Sequence, residues 1–247
     1  MNENTITGPL LSIVIPVLNE AAKIGEDIRL ADAFLKTQNI HGEIIVADDG
    51  STDNTAAVVQ LHVDTVVHPL HLVSLKKHSG KGAAVREGVL SSSGSYVLFT
   101  DSGNCTPLKY INVGIDLLQS GRCSLAHGSR FMRTSRIIRE QSKLRQQIGY
   151  AMRRLFHVFL PLPQYLTDTQ CGFKLYRGEC ARFLYQQLQS CGSLFDLEII
   201  LTASKAHLNI CEFPIEWDAD PDSRTATLRN IWTIAVELLK LVVRFRL

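Results

Sequence analysis

Residues 43–55 read Glu43-Ile44-Ile45-Val46-Ala47-Asp48-Asp49-Gly50-Ser51-Thr52-Asp53-Asn54-Thr55. The run Glu43–Ala47 is short, apolar and rich in β-branched residues, the signature of a strand covered on both faces. It delivers two adjacent carboxylates, Asp48 and Asp49, at its end. Gly50 then supplies a turn, Ser51 or Asp53 offers a side-chain cap, and Asp53–Leu61 reads as a helix. Neighbouring carboxylates repel, so something must compensate them: donors from a ribose or base, a metal, or Lys and Arg. Capping accounts for Asp53 but not for the doubled Asp48-Asp49.

The same alternation runs outward in both directions. Upstream, Leu10–Ile15 is a β-branched strand stopped by Pro16, and Ala21–Leu35 places Ile24, Ile28, Ala31 and Leu35 at helical spacing. Downstream come a weaker strand at Leu72–Leu75, a helix at Gly80–Leu90 and a strong strand at Tyr96–Thr100. A helix at Pro107–Gln119 with proline in its first turn and a strand at Ser124–Ser129 follow. Strands alternating with helices give an α/β domain, a mostly parallel, doubly wound sheet with helices on both faces and its ligand site at the carboxyl ends of the strands. The second half is less regular. It reads as a long helix at Ile137–Leu160, a strand at Gln170–Tyr176, helices at Ala181–Gln189 and Phe195–His207, and a strand at Asn209–Trp217. A polar loop at 218–226 and a final helix at Leu228–Leu247 complete it. Residues 1–227 are taken as one domain and 228–247 as a C-terminal amphipathic helix.

A second strand ends in an acid: Tyr96-Val97-Leu98-Phe99-Thr100-Asp101, followed by Ser102-Gly103-Asn104. In a parallel sheet Asp49 and Asp101 share one edge. Two strand-end acids on one edge suit a divalent cation with a nucleotide diphosphate, because magnesium takes one or two carboxylates and completes its shell with phosphates and waters.

Composition narrows the class further. The chain has 247 residues, 45% hydrophobic and 20% charged, which excludes a disordered, collagen-like or coiled-coil protein. No run approaches the roughly 18 apolar residues of a spanning helix. The N-terminus has neither a basic start nor a long apolar stretch, so no signal peptide is read. Six scattered cysteines without a C-x-x-C pair argue against zinc and for reduced, mostly buried thiols. The net charge of +2 conceals a block: residues 130–154 hold eight Lys or Arg against one acid, leaving the remainder of the chain at −5. Such a block suits an anionic partner or a solvated helix face.

These motifs together resemble family 2 glycosyltransferases. The resemblance begins with Ile13-Val14-Ile15-Pro16-Val17-Leu18-Asn19-Glu20 and Asp48-Asp49-Gly50-Ser51, and continues through Gly80-Lys81-Gly82. Gly128-Ser129-Arg130, Asp168-Thr169-Gln170-Cys171-Gly172-Phe173-Lys174, Phe195-Asp196-Leu197-Glu198 and Pro214-Ile215-Glu216-Trp217 are similar to the polyprenol-phosphate branch, most of all to dolichyl-phosphate glucosyltransferases. The resemblance spans about residues 10–224. It implies a GT-A fold, a nucleotide-sugar donor (a UDP-hexose, with glucose the best match) and an inverting transfer to polyprenyl phosphate at the cytosolic membrane face. It also implies roles. Pro16, Asn19, Glu20, Asp48 and Asp49 would line the nucleoside pocket, while Lys81 and Arg224 would meet the donor diphosphate. Asp101, with Asn104, would hold Mg²⁺ or Mn²⁺. Arg130, Arg133 and Lys174 would hold the acceptor phosphate. Asp196 is the candidate base where the acceptor is a hydroxyl, or else a helix-start acid favoured by the macrodipole.

One departure bears on the metal. The family pattern Asp-x-Asp is Asp101-Ser102-Gly103 here. Three outcomes stay open: Asn104 or Ser102 supplies a neutral oxygen, Lys81 or Arg224 takes over charge neutralisation, or turnover is impaired. The alternatives to lipid transfer are therefore transfer to a saccharide hydroxyl and nucleotide-sugar binding without turnover. Nucleic acid is not expected, since no aromatic surface accompanies the basic block. Leu155–Pro163 is too short to cross a bilayer and suits either a core helix or a surface dipping into lipid. The last helix sets Arg229, Asn230, Thr233, Glu237, Lys240 and Arg244 on one face and apolar residues on the rest, a pattern for the membrane interface, a homo-oligomer contact or core packing.

Overall fold

The computed structural model describes residues 8–219 and 229–246. Seven strands form one sheet: β1 (Leu11–Val17), β2 (Gly42–Asp48), β3 (Leu70–Ser74), β4 (Tyr96–Thr100), β5 (Leu125–Ser129), β7 (Phe173–Arg177) and β8 (Ile210–Pro214). Their spatial order is β3-β2-β1-β4-β7-β5-β8. Every pairing is parallel except those of β7, which runs antiparallel to both β4 and β5. This is the mostly parallel sheet expected, with one reversed strand. β1 and β2 are buried at every position, so their β-branched side chains sit under helices on both faces. The sheet order changes direction at β1, which lies between β2 and β4. The crevice outside that carboxyl edge is where a doubly wound sheet takes its ligand.

Helices α1 (Ile24–Thr37), α2 (Thr55–His62) and α4 (Tyr110–Gln119) cover one face, and α3 (Lys81–Leu90), α6 (Gly178–Gln186) and α7 (Phe195–Lys205) cover the other. α5 (Lys143–Phe159) and α8 (Arg229–Arg246) flank the second layer. A separate two-stranded ribbon pairs β6 (Arg136–Arg139) with β9 (Glu216–Asp218).

Several local expectations change. The helix expected at Ile137–Leu160 is strand β6 followed by α5, with Ser142 accepting from the Arg145 N–H at their junction. The strand expected at Asn209–Trp217 is two strands, β8 and β9, in different sheets. Pro16 does not stop β1. It lies inside the strand but past the last β4 partner, Val14↔Phe99, so a missing N–H costs little there. Pro107 precedes α4 by a turn, its carbonyl accepting from Tyr110 N. The N-cap position of α2 is Asn54, which makes no side-chain cap; of the two expected, Asp53 accepts from the N–H of Thr55, the first residue of the helix, and Ser51 does not cap it. All six cysteines are free, as expected, but only Cys123 and Cys171 are buried, and Cys191 is exposed.

The C-terminal helix takes one of its alternatives in part. Leu238 and Leu241 are buried in the core with Phe156 and Leu160, the core-packing alternative, and two residues of the polar face reach partners in the body of the domain. Glu237 accepts from Leu194 N at 3.1 Å, and Arg244 pairs with the buried Glu198. Apolar residues also lie outward, beside the exposed Thr233 and Lys240: Trp232 is 78% exposed and Leu239 63%. α5 behaves alike. Phe156 faces the core, whereas Leu144, Ile148, Leu155 and Phe159 recur at helical spacing on an exposed stripe. The Leu155–Pro163 segment is divided, with Phe156, Leu160 and Leu162 buried and Leu155, Val158 and Phe159 exposed. Arg246 donates to the Val158 carbonyl at 2.9 Å and joins the ends of the two helices.

Candidate active site at the carboxyl edge of the sheet

The doubled acids after β2 are compensated by the protein itself. Asp48 accepts from the Ser51 backbone N–H at 2.9 Å and from its hydroxyl, closing the turn. Asp49 accepts from His78 Nδ1 at 2.7 Å, Ser79 N at 2.7 Å and Gly80 N at 3.0 Å, which fixes the approach to α3. Both carboxylates are buried. Gly50, at φ +73°, makes the reversal a side chain would oppose. Asn19 follows β1 at φ +54°, and its amide oxygen accepts from Thr52 N at 2.7 Å. Glu20 N donates to Thr55 Oγ1, and Asp53 accepts from Thr55 N and Ala21 N. Pro16, Asn19, Glu20, Asp48 and Asp49 therefore come together, as one hydrogen-bonded shelf across the ends of β1 and β2.

Lys81 opens α3 and reaches Asp101 at the end of β4, with Nζ 2.6 Å from Oδ1. Oδ1 is a buried acceptor that receives no hydrogen bond, so the contact is an ion pair. Burial works to lower the Lys81 pKa, but the carboxylates of Asp101 and Asp196 outweigh it and hold it above the usual lysine range. Asp101 packs flat against Gly172, where a Cβ would stand 2.1 Å from its Oδ2. Its own N–H donates to the Gly172 carbonyl at 2.9 Å. Gly103 and Asn104 take positive φ, +83° and +47°, and Gly103 N donates to both oxygens of Asp27 on α1 at 2.9 and 3.1 Å. Burial pushes the Asp27 carboxyl up to about 6, against the lowering pull of the Gly103 and Asn104 N–H groups. No group of three His, Cys, Asp or Glu able to hold a metal occurs among the described residues. Asp101 nonetheless supplies one carboxylate, whose Oδ1 now meets Lys81, and would fit a single contact to a cation whose remaining ligands are phosphate oxygens and waters.

Reversal of β7 brings a third element to this edge. In an antiparallel strand the residues before its start, not after its end, share the edge with the ends of the parallel strands. Asp168 therefore meets Arg130, the residue after β5. The guanidinium grips the carboxylate through two side-chain bonds, Nε to Oδ2 at 2.6 Å and Nη2 to Oδ1 at 2.8 Å, and the Arg130 N–H adds a third at 3.1 Å. Asp168 is 2% exposed, and although burial raises its pKa, Arg130 outweighs this and holds it below the usual range. Trp217 and Phe131 flank the guanidinium at 5.1 and 5.4 Å, and Arg153 from α5 lies 4.0 Å from the Phe131 ring. Of the five guanidinium N–H groups, Asp168 takes two, and those of Nη1 lie outside its grip. Arg133 is exposed in the loop that follows.

Lys174 and Asp196 are placed otherwise than expected. Lys174 is 0% exposed and forms an ion pair with Asp196, also donating to the Thr169 carbonyl at 3.2 Å. It does not face an acceptor phosphate. It braces the Asp168–Gly172 loop from beneath. Asp196 is buried, and desolvation raises its pKa against the opposing pull of Lys174 and Lys81. Glu198, two residues on, points elsewhere and accepts from Gln189 N and Ser190 N. Arg224 lies outside the described residues. Sequence reasoning missed Asp27 and the Arg130–Asp168 pair. The quoted motifs contained Asp168, but nothing in them said that it faces Arg130.

Known proteins resemble this chain in sequence and in fold. A dolichyl-phosphate beta-glucosyltransferase of Dictyostelium discoideum is 31% identical over 257 residues, covering 99% of this chain and 76% of the relative. The human protein of the same name is 27% identical, covering 95% and 75%. Among solved structures, glucosyl-3-phosphoglycerate synthase from Mycobacterium tuberculosis, in complex with Mn²⁺, UDP-glucose and phosphoglyceric acid, superposes with a TM-score of 0.70. It is 20% identical, covering 96% of this chain and 79% of its own, a likeness that establishes the GT-A fold. Residues 12–182 match the family described as Glycosyl transferase family 2. With that match spanning most of the sheet and its carboxyl edge, the chain belongs to glycosyl transferase family 2.

Proposed function

We propose that the protein transfers glucose from UDP-glucose to a polyprenyl phosphate of the dolichyl type, with inversion, at the cytosolic face of a membrane. The observation that carries this reading is the juxtaposition, on one sheet edge, of the Lys81–Asp101 pair and the Asp168-anchored Arg130. One cluster suits a diphosphate leaving group and the other an anionic acceptor. Relatives named dolichyl-phosphate beta-glucosyltransferase over nearly the whole chain support the choice of sugar and acceptor.

In this mechanism a lipid phosphate oxygen attacks the anomeric carbon. The new carbon–oxygen bond forms as the bond to the diphosphate breaks on the opposite side, and the electron pair leaves with the nucleoside diphosphate. The acceptor is already ionised at neutral pH, so no base is required, which agrees with Asp196 being committed to Lys174. Arg130 orients the acceptor through its planar fork, and Lys81 offsets charge on the leaving group. A divalent cation held by Asp101, with Asn104 beside it, would supply further neutralisation of the diphosphate. The shelf at Pro16, Asn19, Glu20, Asp48 and Asp49 receives the nucleoside. Asp48 and Asp49 act by shaping that shelf. The exposed apolar stripes of α5 and α8, with Arg145, Arg154 and Lys240 beside them, suit a protein lying on an anionic bilayer. No helix among the described residues is long and apolar enough to cross a membrane.

The test is transfer of radiolabelled sugar by the purified protein to a short polyprenyl phosphate, from UDP-glucose and from GDP-mannose, with EDTA, Mg²⁺ or Mn²⁺. Labelled lipid from UDP-glucose is the expected product. Label appearing only on soluble saccharides, or donor binding with no product under any condition, overturns the assignment.

Gly172→Ala probes the same site from below. Its Cβ would overlap the Asp101 carboxylate and drive it off Lys81. A displacement on the order of 1 Å is expected to lower kcat/KM for UDP-glucose about 100-fold, with the melting temperature little changed. Wild-type kinetics in a folded Gly172→Ala protein would remove Asp101 from the mechanism.

A further inference from the structure

We propose that Asp27 is a positioning residue of the donor site, reaching from α1 to hold the Gly103–Asn104 backbone and so aim Asp101. The inference rests on the donor-site reading above. Asp27 sits in the first turn of α1, buried, 76 residues from the loop it binds. Its carboxylate takes the Gly103 N–H with both oxygens, at the first of two successive residues in left-handed conformation, and the Asn104 N–H adds an electrostatic pull in the same direction. Asp27, Thr100, Asp101, Asn104 and Thr106 line one small cleft over Ile13.

The loop from Asp101 to Cys105 is pinned at three places. Asp101 N bonds to the Gly172 carbonyl, and the Cys105 carbonyl accepts from Asp218 N. Both of those are backbone contacts. Between them the turn is held by the Asp27 side chain. Gly103 stands where the family pattern carries a second carboxylate, and at φ +83° a side chain there would be strained. In this chain, then, position 103 gives the loop its shape, and the second carboxylate near the loop comes from another helix and acts on the backbone. Asp27 works through Asp101 and does not touch the donor.

The experiment is calorimetric titration of UDP-glucose into the full chain, in EDTA and in Mn²⁺, for the unaltered protein, Asp27→Ala, Asp27→Asn, Asp101→Asn and the double variant Asp27→Ala/Asp101→Asn. Asp27→Ala is expected to weaken binding about tenfold, the scale of one charge-assisted hydrogen bond. Asp27→Asn keeps the shape and one acceptor and is expected to weaken it less. In the Asp101→Asn background the Asp27 change is expected to add less than about twofold, since coupled residues are not additive. Unchanged affinity in a folded Asp27→Ala protein overturns the inference, as does a full tenfold loss on top of Asp101→Asn. Where Asp27→Ala does not fold, Asp27→Asn decides by the same criteria, alone and combined with Asp101→Asn. If the unaltered protein binds no UDP-glucose, the donor-site reading fails and takes this inference with it. Binding that both Asp27 variants leave intact overturns the inference alone.

Discussion

Arg130→Ala is expected to lower lipid glycosylation by a factor on the order of 100–1,000 while leaving UDP-glucose affinity within about threefold, the pattern for losing a preorganised group that meets the reacting anion. The single variant carries a second effect. Asp168 is 2% exposed and takes both side-chain bonds from Arg130. Removing its partner strands a buried carboxylate, a cost of about 3–5 kcal/mol. Arg130→Ala/Asp168→Asn is therefore expected to recover most of the lost melting temperature and none of the activity. Arg130→Lys keeps the charge but cannot grip Asp168 and a phosphate with one planar fork, so it is expected to fall between. Steady-state kinetics on polyprenyl phosphate, with donor binding measured separately, decide the matter. Loss of donor binding in the double variant would move Arg130 from the acceptor side to the donor side.

The largest expected effect on stability lies one layer below. Lys174→Met removes the only side-chain cation bonded to Asp196 among the described residues, deep in a core whose Lys174 is 0% exposed. At about 3–5 kcal/mol, and roughly 2–4 °C per kcal/mol for a domain of this size, melting is expected to drop by about 6–20 °C. The pH dependence has a definite sign. Burial already raises the Asp196 pKa with Lys174 present, and without it the carboxyl is pushed further up. A carboxyl with a folded pKa above its unfolded value costs nothing while both states are protonated and costs most once both are ionised. The defect is therefore expected to grow as pH rises and to fade as pH falls towards the unfolded value near ~4. Lys174→Met/Asp196→Leu, which removes both charges, is expected to regain most of the loss. A melting temperature for Lys174→Met that is unchanged across pH would show that the pair carries no such burden.

What the sequence disclosed follows the range of each signal. The alternation of β1, α1, β2 and α2 is local, set by periodicity and by turn residues within about ten positions, and it was legible to within a few residues. The carboxyl edge was legible too, because Asp49 and Asp101 each directly follow an apolar run. The partners of those residues were not. Arg130 and Asp168 are 38 residues apart and meet because β7 runs backwards, a direction that no pattern inside Phe173–Arg177 encodes. Lys174 lay in a motif beside an expected phosphate and was read as facing it, but its alternation along β7 points it to the α7 layer. The basic stretch from Arg136 to Arg154 kept enough amphipathic spacing to pass for one helix, and Ser142, three residues before Arg145, was the cap signal that divides it. In α8 the wheel separated polar from apolar residues and left open which of the apolar ones meet the core; Leu238 and Leu241 do, while Trp232 and Leu239 are exposed. A wheel cannot know that Glu198 and the Leu194 N–H wait on the core side.

The outward apolar stripes of α5 and α8 have a kinetic meaning under the reading proposed above. An enzyme that lies flat on a bilayer draws its donor from three dimensions and its acceptor from two. Its velocity then depends on how crowded the acceptor is within the leaflet, not on how much is present per litre. Dilution of the leaflet with inert lipid would slow the reaction at constant total acceptor, and enzyme that remained on one vesicle would exhaust that vesicle's supply before visiting another.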